Sequence, residues 1–226
     1  MIDFDKHLDA VGERLAGYRE RGLSIFATSS FQTNSVVLLH MLSVLDRDIP
    51  VYFLNTGYHF PETLAFKSEL GRRLKLQIID IYSDVPRVQQ RDVQGRLLFA
   101  SDPDRCCHFN KVQPLEAVLI ENDIWISGVR RSQSATRSAM SLEEPTRHDV
   151  TRYHPLLDWT AGTIDRYIDA FGLPRHPLES EGYGSVGCQP CTRKLDPNAV
   201  YDDRTGRWFG LKKTECGLHE DPKDIQ

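Results

Sequence analysis

The sequence predicts an α/β domain with a mostly parallel sheet flanked by helices, followed by a loop-rich C-terminal segment. Three observations carry that expectation. Short apolar runs, partly β-branched, recur at Ser24–Thr28, Val51–Leu54, Leu76–Ile81 and Ile124–Ser127. The first two run into a polar or glycine turn and then a helical pattern, and the fourth ends in a glycine turn. From Pro174 onward this rhythm gives way to Gly, Pro and charged residues. Residues 1–180 are therefore read as the α/β body and 181–226 as a segment laid over its site, together one structural domain.

In order, Phe4, Leu8, Val11, Leu15 and Tyr18 recur at helical spacing with charged residues between them, an amphipathic helix that Gly22 ends. Ser24-Ile25-Phe26-Ala27-Thr28 is the first buried strand. The polar turn Ser29–Ser35 leads into a helical run from Val36 to Leu45. Pro50 precedes the second strand, Asn55-Thr56-Gly57 turn the chain, and Pro61-Glu62 open a helix with proline at its first position. The strands Leu76–Ile81 and Ile124–Ser127 follow, with a turn at Gly128. Ligands of parallel sheets collect at the carboxyl ends of the strands, which places the turns Ser29–Gln32, Asn55–Gly57 and Gly128–Arg131 on one working edge.

The 226 residues, 40% apolar with 15 glycines, suit one large domain with a sizeable core. A net charge of −4 lacks the basic excess of a general nucleic-acid binder. No run of 18 apolar residues occurs, so neither a membrane span nor a membrane partner is expected. The N-terminus carries no signal-peptide core, and the odd cysteine count adds to the expectation of a cytoplasmic protein. There a CxxC pair suggests a metal or redox task before a structural disulfide. A homo-oligomer is left open.

The five cysteines divide into Cys106-Cys107, Cys188-x-x-Cys191 and Cys216. Four thiolates could hold one metal centre, leaving Cys216 beside Lys212, Lys213 and His219, where cations favour a nucleophilic thiolate. Zinc and an iron–sulfur cluster compete for the four. Adjacent cysteines chelate a single tetrahedral ion awkwardly, whereas neighbouring thiolates can bind different irons of a [4Fe–4S] cluster. The serine-rich turn before the second helix can bind phosphate, although a plain helix cap explains it equally well. It is neither a Walker loop nor a Rossmann fingerprint. Arg130, Arg131 and Arg137 follow the fourth strand, and arginine suits bidentate recognition of phosphate or sulfate.

From about Ser24 to His219 the chain resembles the assimilatory sulfonucleotide reductases, specifically the iron–sulfur branch acting on adenosine 5′-phosphosulfate (APS). The resemblance rests on Cys106-Cys107 with Lys111-Val112-Gln113-Pro114-Leu115, on Gly187-Cys188-Gln189-Pro190-Cys191-Thr192-Arg193, and on Lys213-Thr214-Glu215-Cys216-Gly217-Leu218-His219. Leu54-Asn55-Thr56-Gly57 and Phe60-Pro61-Glu62-Thr63 also match. The turn reads Ser30-Phe31-Gln32 where the family commonly has SFG, and Asn55 stands where Asp is frequent. The resemblance implies an adenine nucleotide α-hydrolase-like, Rossmann-like fold, with residues 1–180 as the nucleotide-binding domain and a mobile catalytic tail.

It further implies that Cys216 attacks the sulfur of APS, expels AMP and becomes an S-sulfocysteine that thioredoxin resolves to sulfite. Cys106, Cys107, Cys188 and Cys191 would ligate one [4Fe–4S] cluster per subunit. Ser30, Phe31 and Gln32 would hold the nucleotide, Leu54 would contact adenine, and Gly128 would join them in the site. Lys111, Arg137, Arg204, Arg207 and His219 would surround the phosphosulfate. The alternative substrate is the 3′-phosphorylated form, PAPS. More distant alternatives are an ATP-dependent adenylating enzyme, which would want an SGGxDS turn absent here, and a zinc-stabilised binding module.

Overall fold

The computed structural model describes residues 3–195, 206–208, 213 and 215–219. A first helix, α1 (Phe4–Glu20), is capped by Asp3, whose carboxylate accepts from the Lys6 amide, and Gly22 closes it at φ 72°. β1 (Ile25–Thr28), α2 (Thr33–Leu45), β2 (Val51–Leu54), α3 (Pro61–Leu74) and β3 (Ile78–Ile81) follow in strict alternation. Pro61 does open α3. The third strand starts two residues later than its apolar run, because the Leu76 amide still donates to Gly71 O and finishes the helix.

Two short helices, α4 (Leu98–Ser101) and α5 (Pro103–Cys107), lead through a π turn at His108–Val112 into α6 (Gln113–Ile120) and then β4 (Ile124–Ser127). Beyond it lie α7 (Ala135–Ser138), β5 (Glu143–Pro145), β6 (Thr151–Tyr153) and α8 (Ala161–Ala170). The six strands run in the order β3-β2-β1-β4-β6-β5, parallel except for β5 against β6.

Alternation along each strand sends side chains to opposite faces. Ile25, Ala27, Val51, Phe53, Ile124 and Ile126 pack with α1, α2, α3 and α8. Phe26 and Trp125 turn the other way, against Leu115, Val118 and Leu119 of α6. With this order the connection leaving β1 runs toward β2 on one side, and the connection leaving β4 runs toward β5 and β6 on the other. That reversal opens a crevice above the carboxyl ends of β1 and β4, the place where sheets of this kind take ligands.

Candidate active site

The turn after β1 is the most constrained stretch at the crevice. Phe31 adopts φ 55°, a left-handed value that bulky side chains avoid. Two contacts hold it there: its amide donates to Ser29 Oγ at 3.1 Å, and its fully buried ring meets Phe53 edge-on at 5.5 Å. The Phe31 side chain therefore belongs to the core, and Phe31, expected to help hold the nucleotide, does not line the cavity. Gln32 reaches across the crevice instead, its Oε1 accepting from the Val186 amide at 3.0 Å. The N-terminus of α2 opens beside these residues with no side-chain cap among the described residues, its dipole directed at the crevice.

One cavity brings together Ser30 and Gln32 from this turn, Leu54 after β2, Gly128 after β4, and Lys111, Arg137, Arg207 and Cys216 from elsewhere in the chain. Trp125 and His59, which sequence reasoning did not single out, line it too. The His59 Nε2 lies 2.9 Å from Leu54 O, and burial holds its pKa down to about 4, so the ring is neutral. Arg204 lies outside the described residues. The backbone of His219 is placed in a short 3₁₀ turn, Gly217–His219, that follows Cys216.

Cys216 sits among cations. Lys111 Nζ lies 3.5 Å from its Sγ. Burial pushes the thiol up, but Lys111, a backbone amide at Leu218 and Arg207 outweigh it, leaving the pKa below its ordinary value. Lys111 is correspondingly raised: burial opposes its charge, and the thiol groups of Cys216, Cys107 and Cys188 favour it. Arg207 comes close because Gly187 has no side chain, since a Cβ there would strike the guanidinium. Among the described residues the buried Nε of Arg207 has no hydrogen-bond partner. Arg137 is engaged with Glu215, Nε to Oε2 and Nη2 to Oε1, both at 2.9 Å.

A second, smaller cavity adjoins the first. Cys106, Cys107, Cys188 and Cys191 line it together with Trp208, and Lys111, Cys188 and Arg207 border both cavities. Asp102 caps α5 and so presents the adjacent thiols, while Asn110 donates to Cys106 Sγ at 3.6 Å from the π turn that also carries Lys111. The CxxC loop is tied down by Gln189 N donating to Tyr58 O at 2.7 Å and by Trp208 N donating to Cys191 O at 3.0 Å. Burial and the neighbouring thiols push Cys106 up to about 12 and Cys107, mainly through burial, to about 11. Among the described residues no three His, Cys, Asp or Glu side chains are arranged to hold a single metal ion. No helix of the described residues is long and apolar enough to cross a membrane.

A family model described as the phosphoadenosine phosphosulfate reductase domain matches residues 24–194. The chain is 38% identical over 203 residues to an adenosine 5′-phosphosulfate reductase of Chelativorans sp., covering 89% of this chain and 81% of that protein. It is 39% identical over 204 residues to a phosphoadenosine 5′-phosphosulfate reductase of Gloeobacter violaceus, covering 88% and 83%. Among solved structures, the phosphoadenylyl-sulfate reductase of Candida auris in its phosphate complex shares the fold, with a TM-score of 0.63 and 21% identity over 84% of this chain and 97% of that one.

Proposed function

The chain belongs to the phosphoadenosine phosphosulfate reductase family, and on that premise we propose that it reduces APS to sulfite and AMP. The observation that carries this reading is Cys216, a thiol with a lowered pKa, in one cavity with the β1 turn and with Lys111 and Arg207. The Cys216 thiolate attacks the sulfonyl sulfur of APS. A sulfur–sulfur bond forms as the bond from sulfur to the phosphate oxygen breaks, and AMP leaves with the electron pair. Lys111 and Arg207 offset the charge that grows on the departing phosphate, as donors of an oxyanion hole do. A dithiol protein of the thioredoxin kind then attacks Cys216 Sγ. Sulfite departs, and the dithiol closes to a disulfide as Cys216 is restored.

The donor set around the smaller cavity, four cysteines and no carboxylate, fits a [4Fe–4S] cluster on Cys106, Cys107, Cys188 and Cys191. Such a cluster, with its four thiolate ligands, would be net negative, a charge that Lys111 and Arg207 would offset, and would order the CxxC loop that carries Gly187. Free thiols of this kind suit a reducing, cytoplasmic setting. The tail that carries Cys216 closes for sulfur transfer and opens for the partner.

The test is sulfite release assayed with APS and PAPS in parallel, together with intact mass after incubation with APS and no reductant. One sulfonate on Cys216 and one AMP are expected, and neither with Cys216→Ser. Preference for PAPS would favour the second reading, for which the Gloeobacter relative speaks. Sulfite formed in the absence of any thiol would refute the mechanism. Oxygen-free Cys188→Ser protein should lose iron and sulfide together, and zinc alone in the parent would replace the cluster.

A further inference from the structure

Glu215 immediately precedes the nucleophile, and its carboxylate joins two parts of the chain. Arg137 donates to it twice in fork geometry, at 2.9 Å each, and Ser134 Oγ donates to Oε2 at 3.0 Å. On the tail side, the Cys216 amide donates to Oε1 at 2.8 Å. The two charged side chains are only 7% and 3% exposed. A pair so deeply buried is costly to break from one side only. The main chain of Cys216 is thus fastened to α7 through one carboxylate, while its Sγ lies beside Lys111. A negative charge next to a thiolate is electrostatically unfavourable, so the value of this carboxylate at this position must be geometric.

We propose that Glu215 is a positioning residue for sulfur transfer: it locks the backbone of Cys216 against Arg137 so that Sγ is aimed into the nucleotide cavity. The proposal rests on the reading of Cys216 as the nucleophile toward APS. Arg137 remains available to the ligand as well. Of its five N–H groups two go to Glu215 and one to Gln133 Oε1 at 2.6 Å, leaving one on each terminal nitrogen among the described residues. One guanidinium therefore orients both the tail and an anion bound in the cavity, so the nucleophile is registered to the group it attacks.

Single-turnover sulfonation tests this, with APS in excess, no reductant, and adduct read by intact mass on parent, Glu215→Ala and Glu215→Gln proteins. APS affinity is measured in the Cys216→Ser background, where no adduct forms. Glu215→Ala should slow adduct formation at saturating APS by at least about tenfold, toward the roughly hundredfold cost of an ångström of misplacement. The Kd for APS should stay within about threefold, a difference under about 0.7 kcal/mol. Glu215→Gln, which keeps an acceptor for the Cys216 amide, should recover part of the rate. Parental rates in Glu215→Ala, a Gln variant no faster than Ala, or a joint fall of rate, affinity and melting temperature would each overturn the proposal. A parent that forms no adduct on Cys216 would instead remove the functional reading on which it rests.

Discussion

The sheet body and the segment that carries Cys216 are held by different forces. In the body, helices α1, α2, α3 and α8 close over one face through fully buried residues such as Leu39, Met41, Phe53 and Tyr167. In the described part of the tail, Glu215 binds Arg137, Lys213 binds Asp104 beside the adjacent cysteines, and Leu218 O accepts from Arg152 Nη1 at 3.3 Å. Leu218 adds an apolar contact with the Phe26 and Trp125 face. Apolar burial resists any excursion, at about 25 cal/mol for each Å² returned to water. Separated ions regain hydration, so a polar fastening can define a position closely and still release. Cys216 is attached by the kind of contact that permits both.

The comparison can be broken most sharply in the body. Leu39→Ala should remove about 2–5 kcal/mol of stability by opening a cavity in α2. Denaturant melts should register that loss, while single-turnover sulfonation of the folded fraction keeps its rate. Arg207→Ala should do the reverse: about 2–4 kcal/mol of transition-state stabilisation lost, with the melting temperature near the parent's. A large melting shift with ordinary turnover would make this arginine a structural one.

Acid separates the regions more gently. Burial and Arg152 hold the His154 pKa down to about 4, below its ordinary 6.5, although Glu144 accepts from its ring. Between those values the unfolded chain takes up a proton that the folded chain refuses. Stability should therefore fall as pH drops through that window, by roughly 1.4 kcal/mol for each pH unit crossed, and level off below it. Denaturation series from pH 7 to 4 on the parent and on His154→Asn, which should lack this component, check the sign. The smallest effect is expected for Lys213→Ala. Lys213 is 1% exposed but its ion-pair partner Asp104 is 57% exposed, so the pair itself contributes at most about 1 kcal/mol, and its loss should appear as faster hydrogen exchange in the Cys216 segment alone.

Much of the body was legible because its signals are local. Ile25-Phe26-Ala27 and Ile124-Trp125-Ile126 are buried on both faces, and Pro61 marks a helix start by its own chemistry. β5 and β6 were missed because Glu143-Glu144-Pro145 and Thr151-Arg152-Tyr153 carry no strand pattern, and pairing alone makes them strands. α8 had a readable signature, a Thr160 cap accepting from the Thr163 amide before Ile164, Tyr167 and Ile168. The cysteine pairs and the Cys216 motif were readable as spacing. Arg137 was expected among the phosphosulfate cations, and the ion pair that engages it was not foreseen. Its partner stands 78 positions away, and no local pattern encodes a contact of that range.

Trp125 gives the site an optical consequence. Its indole donates to Thr28 Oγ1 at 2.8 Å, lines the nucleotide cavity, and lies under the Arg152 guanidinium at 4.0 Å. Arg152 in turn holds Leu218, two residues past Cys216. If the tail opens as proposed, water would replace that carbonyl, the field across the indole would change, and its emission would shift. Trp159 sits apart, packed between Phe4 and Tyr167, while Trp208, under the Arg207 guanidinium, is removed by Trp208→Phe so that Trp125 reports against Trp159 alone. The floor of the crevice thus carries its own fluorophore, which would follow the proposed tail movement in real time without any attached dye.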